Sequence, residues 1–276
     1  MNNQKFQKFA QIENLLRCPL CKEALQYSEK TLTCINGHCF DISSKGYLNL
    51  LPNQKSSKEY NHDFFENRRL VLDKGFYSHI LDGIKEYIQS QKGITAIIDA
   101  GCGEGYYSKS IQDLSNIPII GFDISKDAIQ IAAKGGNGVC WLVSDITNIP
   151  LQSDSVDCIL NIFTPANYDE FSRILSQDGF LIKVVPGESH LIELRQAMQG
   201  YVPESYSNKD VVDYFEKHFK LIDKLDLKKT LTIDRETLKD FCHMTPLLFG
   251  VDKTLLDNYN IEEITIHGEI LIGRSI

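Results

Sequence analysis

Cys18-Pro19-Leu20-Cys21 is followed by Cys34 and, four positions later, by His38. Two short pairs separated by a loop bring three thiolates and an imidazole to the corners of a tetrahedron, the arrangement zinc takes in closed structural sites. Four protein ligands leave no open position, so the predicted role is structural and not catalytic. Residues 17–41 hold too few apolar side chains to fold unaided, and a metal would supply the missing folding energy. Cys39 is a rival to His38, but its spacing from Cys34 gives poorer geometry. The chain carries 8 cysteines. Cys102, Cys140, Cys158 and Cys242 fall in apolar strands or loops and read as packing groups.

A second constellation lies behind the apolar run Thr95-Ala96-Ile97-Ile98. It is the turn Asp99-Ala100-Gly101-Cys102-Gly103-Glu104-Gly105, with Asp123 following at the end of another apolar run. Strand, glycine turn and helix, then an acidic residue about 20 positions on, is the pattern of a nucleotide-binding βαβ unit. The glycines let the backbone approach a ligand, and the carboxylate takes two ribose hydroxyls. Asp99 and Glu104 in the turn would repel a pyrophosphate and attract an ammonium or sulfonium, which favours S-adenosylmethionine over a dinucleotide. Asp145, after the third strand, is placed to accept from the adenine amino group. Helix capping is the plainer account of Asp123 and Asp145.

The elements that must position these groups follow from periodicity. Strands are predicted near 95–100, 117–123, 138–144, 156–163 and 179–185, with helices between them such as 105–115 and 125–134. That alternation implies a parallel sheet covered on both faces, an α/β, Rossmann-like architecture. A helix over 208–218 and strand-like runs near 219–233 and 262–273 suggest a closing antiparallel pair. Residues 63–91 read as two helices separated by Gly75, and 42–62 as a polar linker marked by Lys55, Ser56, Ser57 and Lys58. The division is then a zinc module over 1–60, a helical connector over 61–92 and a sheet domain over 93–276.

Of the 276 residues, 42% are hydrophobic and 24% charged, and no apolar run approaches the roughly 18 residues of a membrane span. With no signal-peptide pattern either, a cytoplasmic protein is expected. The net charge of −8 argues against nucleic acid at first. Its distribution is uneven: residues 1–92 hold 13 Lys/Arg against 10 Asp/Glu, and residues 93–276 hold 16 against 27. A slightly basic front on an acidic body suits a polyanion near the front and a cationic cofactor in the body.

Taken together, these residues resemble one family, the bacterial 23S ribosomal RNA guanine-N1-methyltransferases. The similarity runs through the Cys18/Cys21/Cys34/His38 module, Phe40-Asp41, Gly46-Tyr47-Leu48-Asn49-Leu50-Leu51-Pro52, Arg68-Arg69 and Asp73-Lys74-Gly75-Phe76-Tyr77. It continues through the glycine turn to Tyr107, then Pro186-Gly187-Glu188-Ser189-His190-Leu191 and Met244-Thr245-Pro246. The resemblance implies methyl transfer to one guanine of a hairpin loop in 23S ribosomal RNA, with the zinc module aiding RNA recognition. It implies that Tyr77, Gly103, Glu104 and His190 contact the cofactor beside Asp99, Gly101, Asp123 and Asp145, with the connector folding over it. The stretch around Glu59, Phe65 and Arg68-Arg69 resembles the branch that methylates the downstream of two neighbouring guanines. Where the family often carries aromatic-Ala-Pro-Cys, this chain has Phe163-Thr164-Pro165-Ala166, so no cysteine nucleophile is available there.

Methyl transfer to N1 needs alignment and loss of the N1 proton, not a covalent intermediate. The segment after the fourth strand is expected to supply it, with Asn161 orienting the guanine edge and Phe163 stacking on it. The expected RNA surface is the zinc module with Lys22, Lys45, Lys55, Lys58, Arg68 and Arg69. A homodimer is a possible assembly, and no membrane partner is expected. Two other readings compete: a methyltransferase acting on a small metabolite, and a zinc-dependent RNA-binding protein without turnover.

Overall fold

The computed structural model describes residues 4–51, 57–114, 117–135 and 138–276. A short helix α1 (Gln4–Gln7) precedes a three-stranded antiparallel sheet of β1 (Leu25–Ser28), β2 (Thr31–Cys34) and β3 (Cys39–Asp41). Next comes β4 (Tyr47–Asn49), then the helices α2 (His62–Asp73) and α3 (Ser78–Ser90). Asn61 starts α2 by accepting the Phe64 amide on its side chain, and Gly75, at φ +83°, turns the chain between the two helices.

The alternating part follows as β5 (Ile97–Ala100), α4 (Tyr106–Gln112), β6 (Ile119–Asp123), α5 (Lys126–Ala132), β7 (Cys140–Val143), β8 (Val156–Ile162), α6 (Tyr168–Ile174) and β9 (Leu175–Pro186). The chain ends in α7 (Ile192–Ala197), α8 (Lys209–Glu216), β10 (Phe219–Thr232), α9 (Arg235–Met244) and β11 (Glu263–Ser275). One 8-stranded sheet runs β10-β11-β9-β8-β5-β6-β7-β4. Pairing is parallel from β4 through β9, while β11 pairs antiparallel with both β9 and β10, forming the closing pair expected. β9 begins at Leu175, earlier than the expected 179, because Val156 pairs with Leu175 before the register shifts.

Two features depart from the linker reading of 42–62. Tyr47–Asn49 is a strand of the main sheet, in parallel register with Trp141–Val143. The front of the chain also shares a core with the body. Phe9, Ile12, Leu16, Leu25 and Leu32 are buried in the same apolar cluster as Ile98, Ile120 and Ile159 of the sheet. Strand alternation places Ile97, Leu160 and Ile182 on the other face, under Ile80, Ile84 and Ile88 of α3. Residues 17–41 are therefore not left to fold on metal alone. Lys55 and Ser56, which mark the expected linker, lie outside the described residues.

Strand order changes direction at β5, which has β6 on one side and β8 on the other. Open parallel sheets bind ligands at the carboxyl ends of such strands, because the following loops diverge there and leave a crevice.

Candidate active site

β5 delivers Asp99 and the glycine turn to that crevice. Asp99 is 1% exposed and accepts a hydrogen bond from Ser108 Oγ of α4 at 2.5 Å. Burial pushes its carboxyl up to about 7, against the opposing hydrogen bond from Ser108. Gly101 lies at φ +78°, and a Cβ there would fall 2.6 Å from Thr164 Oγ1, so only glycine fits. At Gly105, φ is +82° and a Cβ would meet the ring of the fully buried Trp141. Gly103 donates its N–H to Asp123 Oδ2 at 2.9 Å, and Ser125 N–H donates to Asp123 Oδ1 at 2.8 Å. Asp123 is thus fixed at the end of β6, with burial raising its pKa.

Glu104 is 1% exposed and is held by Arg68 of α2, whose Nη1 lies 2.6 Å from Oε1. Burial works against the Arg68 charge, but the Glu104 carboxylate more than offsets it and the guanidinium pKa rises. This ion pair pins α2 against the glycine turn. The connector thereby closes over a cavity of about 800 Å³, with Tyr60, Phe64, Phe65 and Arg68 on one wall and Phe163, Thr164 and Pro165 on another. His190 and the stretch from Met244 to Leu247 complete it.

The wall after β8 is strained. Phe163 adopts φ +52°, a conformation an L side chain rarely takes, and its N–H donates to Val184 O at 3.0 Å. Its ring stacks on His190 at 5.6 Å and meets Tyr77 edge-on at 5.8 Å. His190 Nδ1 accepts the His267 amide at 3.3 Å, which leaves its ring proton on Nε2. Burial, and then the neighbouring Arg195 and His267, push its pKa down to about 3. A neutral imidazole of that basicity is suited to hydrogen bonding and not to taking the N1 proton.

Of the sequence-predicted residues, Tyr77, Gly101, Gly103, Asp123, Phe163 and His190 line the cavity together. Four others do not. Asp99 and Glu104 sit behind the turn, where they shape it through Ser108 and Arg68. Asp145 caps its own turn, accepting from Thr147 N and Oγ1 at 2.8 Å each, so capping and not adenine contact is its visible role. Asn161 is 0% exposed, and its amide is committed to Ala100 O, Pro165 O and Lys183 Nζ. It holds the loop beneath the cavity and cannot meet a guanine edge directly. Arg68, expected on an RNA surface, instead belongs to the cavity wall. In the sequence Phe64 carries only a helix-periodicity signal, Phe65 carries that and the resemblance to one branch of the family, and Tyr60 carries none.

The metal constellation is assembled as predicted. The ligand atoms of Cys18, Cys21, Cys34 and His38 all lie within 4.8 Å of one another. Cys18 Sγ and Cys34 Sγ are 3.5 and 3.4 Å from His38 Nδ1, and Cys21 Sγ is 3.6 Å from Cys34 Sγ. Zinc bonds of about 2.3 Å to sulfur and 2.0–2.1 Å to nitrogen put tetrahedral ligands about 3.6–3.8 Å apart, so the set fits zinc. Cys39 is exposed and outside the cluster. Cys102, Cys140, Cys158 and Cys242 are buried, as packing groups would be. Among the described residues no helix is long and apolar enough to cross a membrane.

Known proteins match along the same lines. A zinc-ribbon family model described as "RlmA, N-terminal" matches residues 16–58, and one described as "Methyltransferase domain" matches residues 97–179. A Bacillus subtilis (strain 168) relative carrying the name of a 23S rRNA (guanine-N(1)-)-methyltransferase is 36% identical, over 94% of this chain and 97% of its own. The Streptomyces fradiae 23S rRNA (guanine(748)-N(1))-methyltransferase is 29% identical, over 95% of this chain and 97% of its own. Among solved structures, a chain of the Haloferax volcanii complex between the Trm112 methyltransferase activator and a methyltransferase has the same fold. It aligns with a TM-score of 0.51 and 18% identity, over 80% of this chain and 99% of its own.

Proposed function

The chain belongs to the 23S ribosomal RNA (guanine-N1)-methyltransferase family, and from that premise we propose that it transfers a methyl group from S-adenosylmethionine to N1 of one guanine in a hairpin loop of 23S ribosomal RNA. The observation that carries the proposal is the single cavity shared by the Gly101–Gly103 turn, Asp123 and the Phe163–Pro165 wall. The first two suit a nucleoside, and the last suits a flat base. S-adenosylmethionine supplies an electrophilic methyl on a sulfonium whose departure leaves a neutral thioether.

The residues of the chain divide the remaining work. Gly101 and Gly103 leave room for the cofactor against the backbone, and Asp123 receives its ribose hydroxyls. His190 and Tyr77 hold Phe163 in a fixed plane, against which an unstacked guanine can lie. α2 and the Met244–Leu247 stretch line the opposite side. His190 stays neutral, so the N1 proton passes to water and orientation supplies much of the rate.

The zinc module, with Lys22, Lys45 and Lys58, is the surface we assign to the RNA; Lys55 lies outside the described residues. We propose as the target the guanine that the name of the Streptomyces fradiae relative gives. The test is transfer of labelled methyl from S-adenosylmethionine to unmethylated 23S RNA, with primer extension to locate the product. N1 methylation blocks the Watson–Crick edge, so the expected result is a new stop at that one guanine. Cofactor binding without transfer to RNA, RNA fragments or assembled subunits would overturn the proposal.

A further inference from the structure

Lys183 lies in the middle of β9 and is 4% exposed. Its ammonium has two neutral partners, Asn161 Oδ1 at 2.6 Å and the Thr164 carbonyl at 3.0 Å. Among the described residues no carboxylate forms an ion pair with it. Such a group is unusual, because an ammonium removed from water is normally matched by a nearby negative charge. Burial lowers its pKa to about 8, so most of it still carries its proton at neutral pH.

The residues it binds are those that shape the base-facing wall of the cavity. Asn161 carries the tie onward, donating to Ala100 O at 3.2 Å and Pro165 O at 3.0 Å. Thr164, whose carbonyl Lys183 holds, also faces Gly101 across the crevice. Between them stands Phe163 in its left-handed conformation. A buried unmatched charge on β9 thus backs the five-residue stretch 161–165, which itself holds a fully committed buried amide and a strained backbone.

We infer that Lys183 is a positioning residue for the acceptor base: it holds the Phe163–Pro165 wall and places an uncompensated positive charge behind the side of the cavity where guanine gives up its N1 proton. The inference rests on the methyl transfer proposed above. In that reaction the N1–H bond breaks with its proton going to water, and the N1–C bond forms as the C–S bond of the sulfonium breaks. Negative charge develops over N1 and O6 as the proton leaves. A fixed positive charge in a site of low polarisability favours that state, and it needs no reorganisation at the moment of reaction.

The test compares Lys183→Met, which keeps most of the length and removes charge and hydrogen bonds, with Lys183→Gln, a shorter side chain that keeps an N–H donor and removes the charge. Each is assayed on RNA carrying guanine, and on RNA carrying at the target a guanine analogue with a more acidic N1 proton. Both variants are expected to lose about tenfold or more in kcat on guanine. Cofactor affinity should stay within about twofold of wild type, since no cofactor contact is removed. On the acidified base both should recover most of the wild-type rate, a selective rescue that a merely structural role would not give. Unchanged kcat in Lys183→Met, restoration of guanine turnover by Lys183→Gln, or equal losses on both bases would each overturn the inference. Should Lys183→Met fail to fold, the Lys183→Gln arm decides. If the wild type itself leaves no N1-methylguanine, the parent proposal falls, and this one with it.

Discussion

Replacing Asp99 by Asn should remove a loss of folding stability that the wild type suffers as pH rises from about 4 to about 8. Asp99 titrates at about 7 in the folded chain because it is buried at the end of β5, whereas an unfolded chain ionises it near 3.9. Between those values the native state keeps a proton that the unfolded state has released, so stability falls as pH rises through that window. Below about pH 4 both states are protonated and above about pH 8 both are ionised, so the loss is confined to the interval and totals about 4 kcal/mol. Asn has the same size, keeps an oxygen for Ser108 to donate to, and never ionises. Any constant cost of its amide protons cancels when the same pair is compared across pH. Urea unfolding of wild type and Asp99→Asn at pH 5, 6, 7 and 8 should therefore show the variant gaining about 2–3 kcal/mol on the wild type from the first condition to the last. Parallel stability profiles would refute the reasoning, and would mean that Asp99 is ionised throughout.

Other consequences can be measured directly. One zinc ion per chain should be found by plasma emission, and chelation or Cys34→Ser should lower hydrogen-exchange protection over residues 18–41 most strongly around the four ligands, while β5, β8 and β9 keep theirs. Glu104→Gln should cost about 1–3 kcal/mol, read as a lower denaturant midpoint at unchanged m, because it leaves the largely buried Arg68 guanidinium without its carboxylate. His190, with its pKa near 3, should show no titration between pH 5 and 8 in the NMR signal of its ring Cε1–H, and should leave no inflection of its own in the pH–rate profile.

The sequence carried the local patterns well. The Cys/His spacing, the glycine turn and the alternation of strands and helices from residue 95 each depend on neighbours a few positions apart, and each reappears in the structure close to its expected bounds. What escaped was set by distant partners. Tyr47–Asn49 is only three residues long and reads as part of a polar segment, and its strand character comes from Trp141–Val143, almost a hundred positions away. Arg68 looked like one of a surface pair of arginines. Only the fold shows that Arg69 pairs with Glu66 and Asp73 at the surface while Arg68 turns inward to Glu104. Asn161 is polar beside a predicted strand end, which suggests a free amide, yet the lysine that claims its oxygen is on the next strand over.

The short strand β4 has one more effect. Without it, β7 would form the margin of the sheet, with a row of unpaired amides and carbonyls beside the buried, apolar Cys140-Trp141-Leu142-Val143. A bare, hydrophobic margin of that kind is a template for pairing with other chains. Cutting away the front of the chain to obtain a smaller catalytic fragment would strip off that cover along with the metal. The product would be prone to self-association and precipitation, and its inactivity would say nothing about RNA recognition.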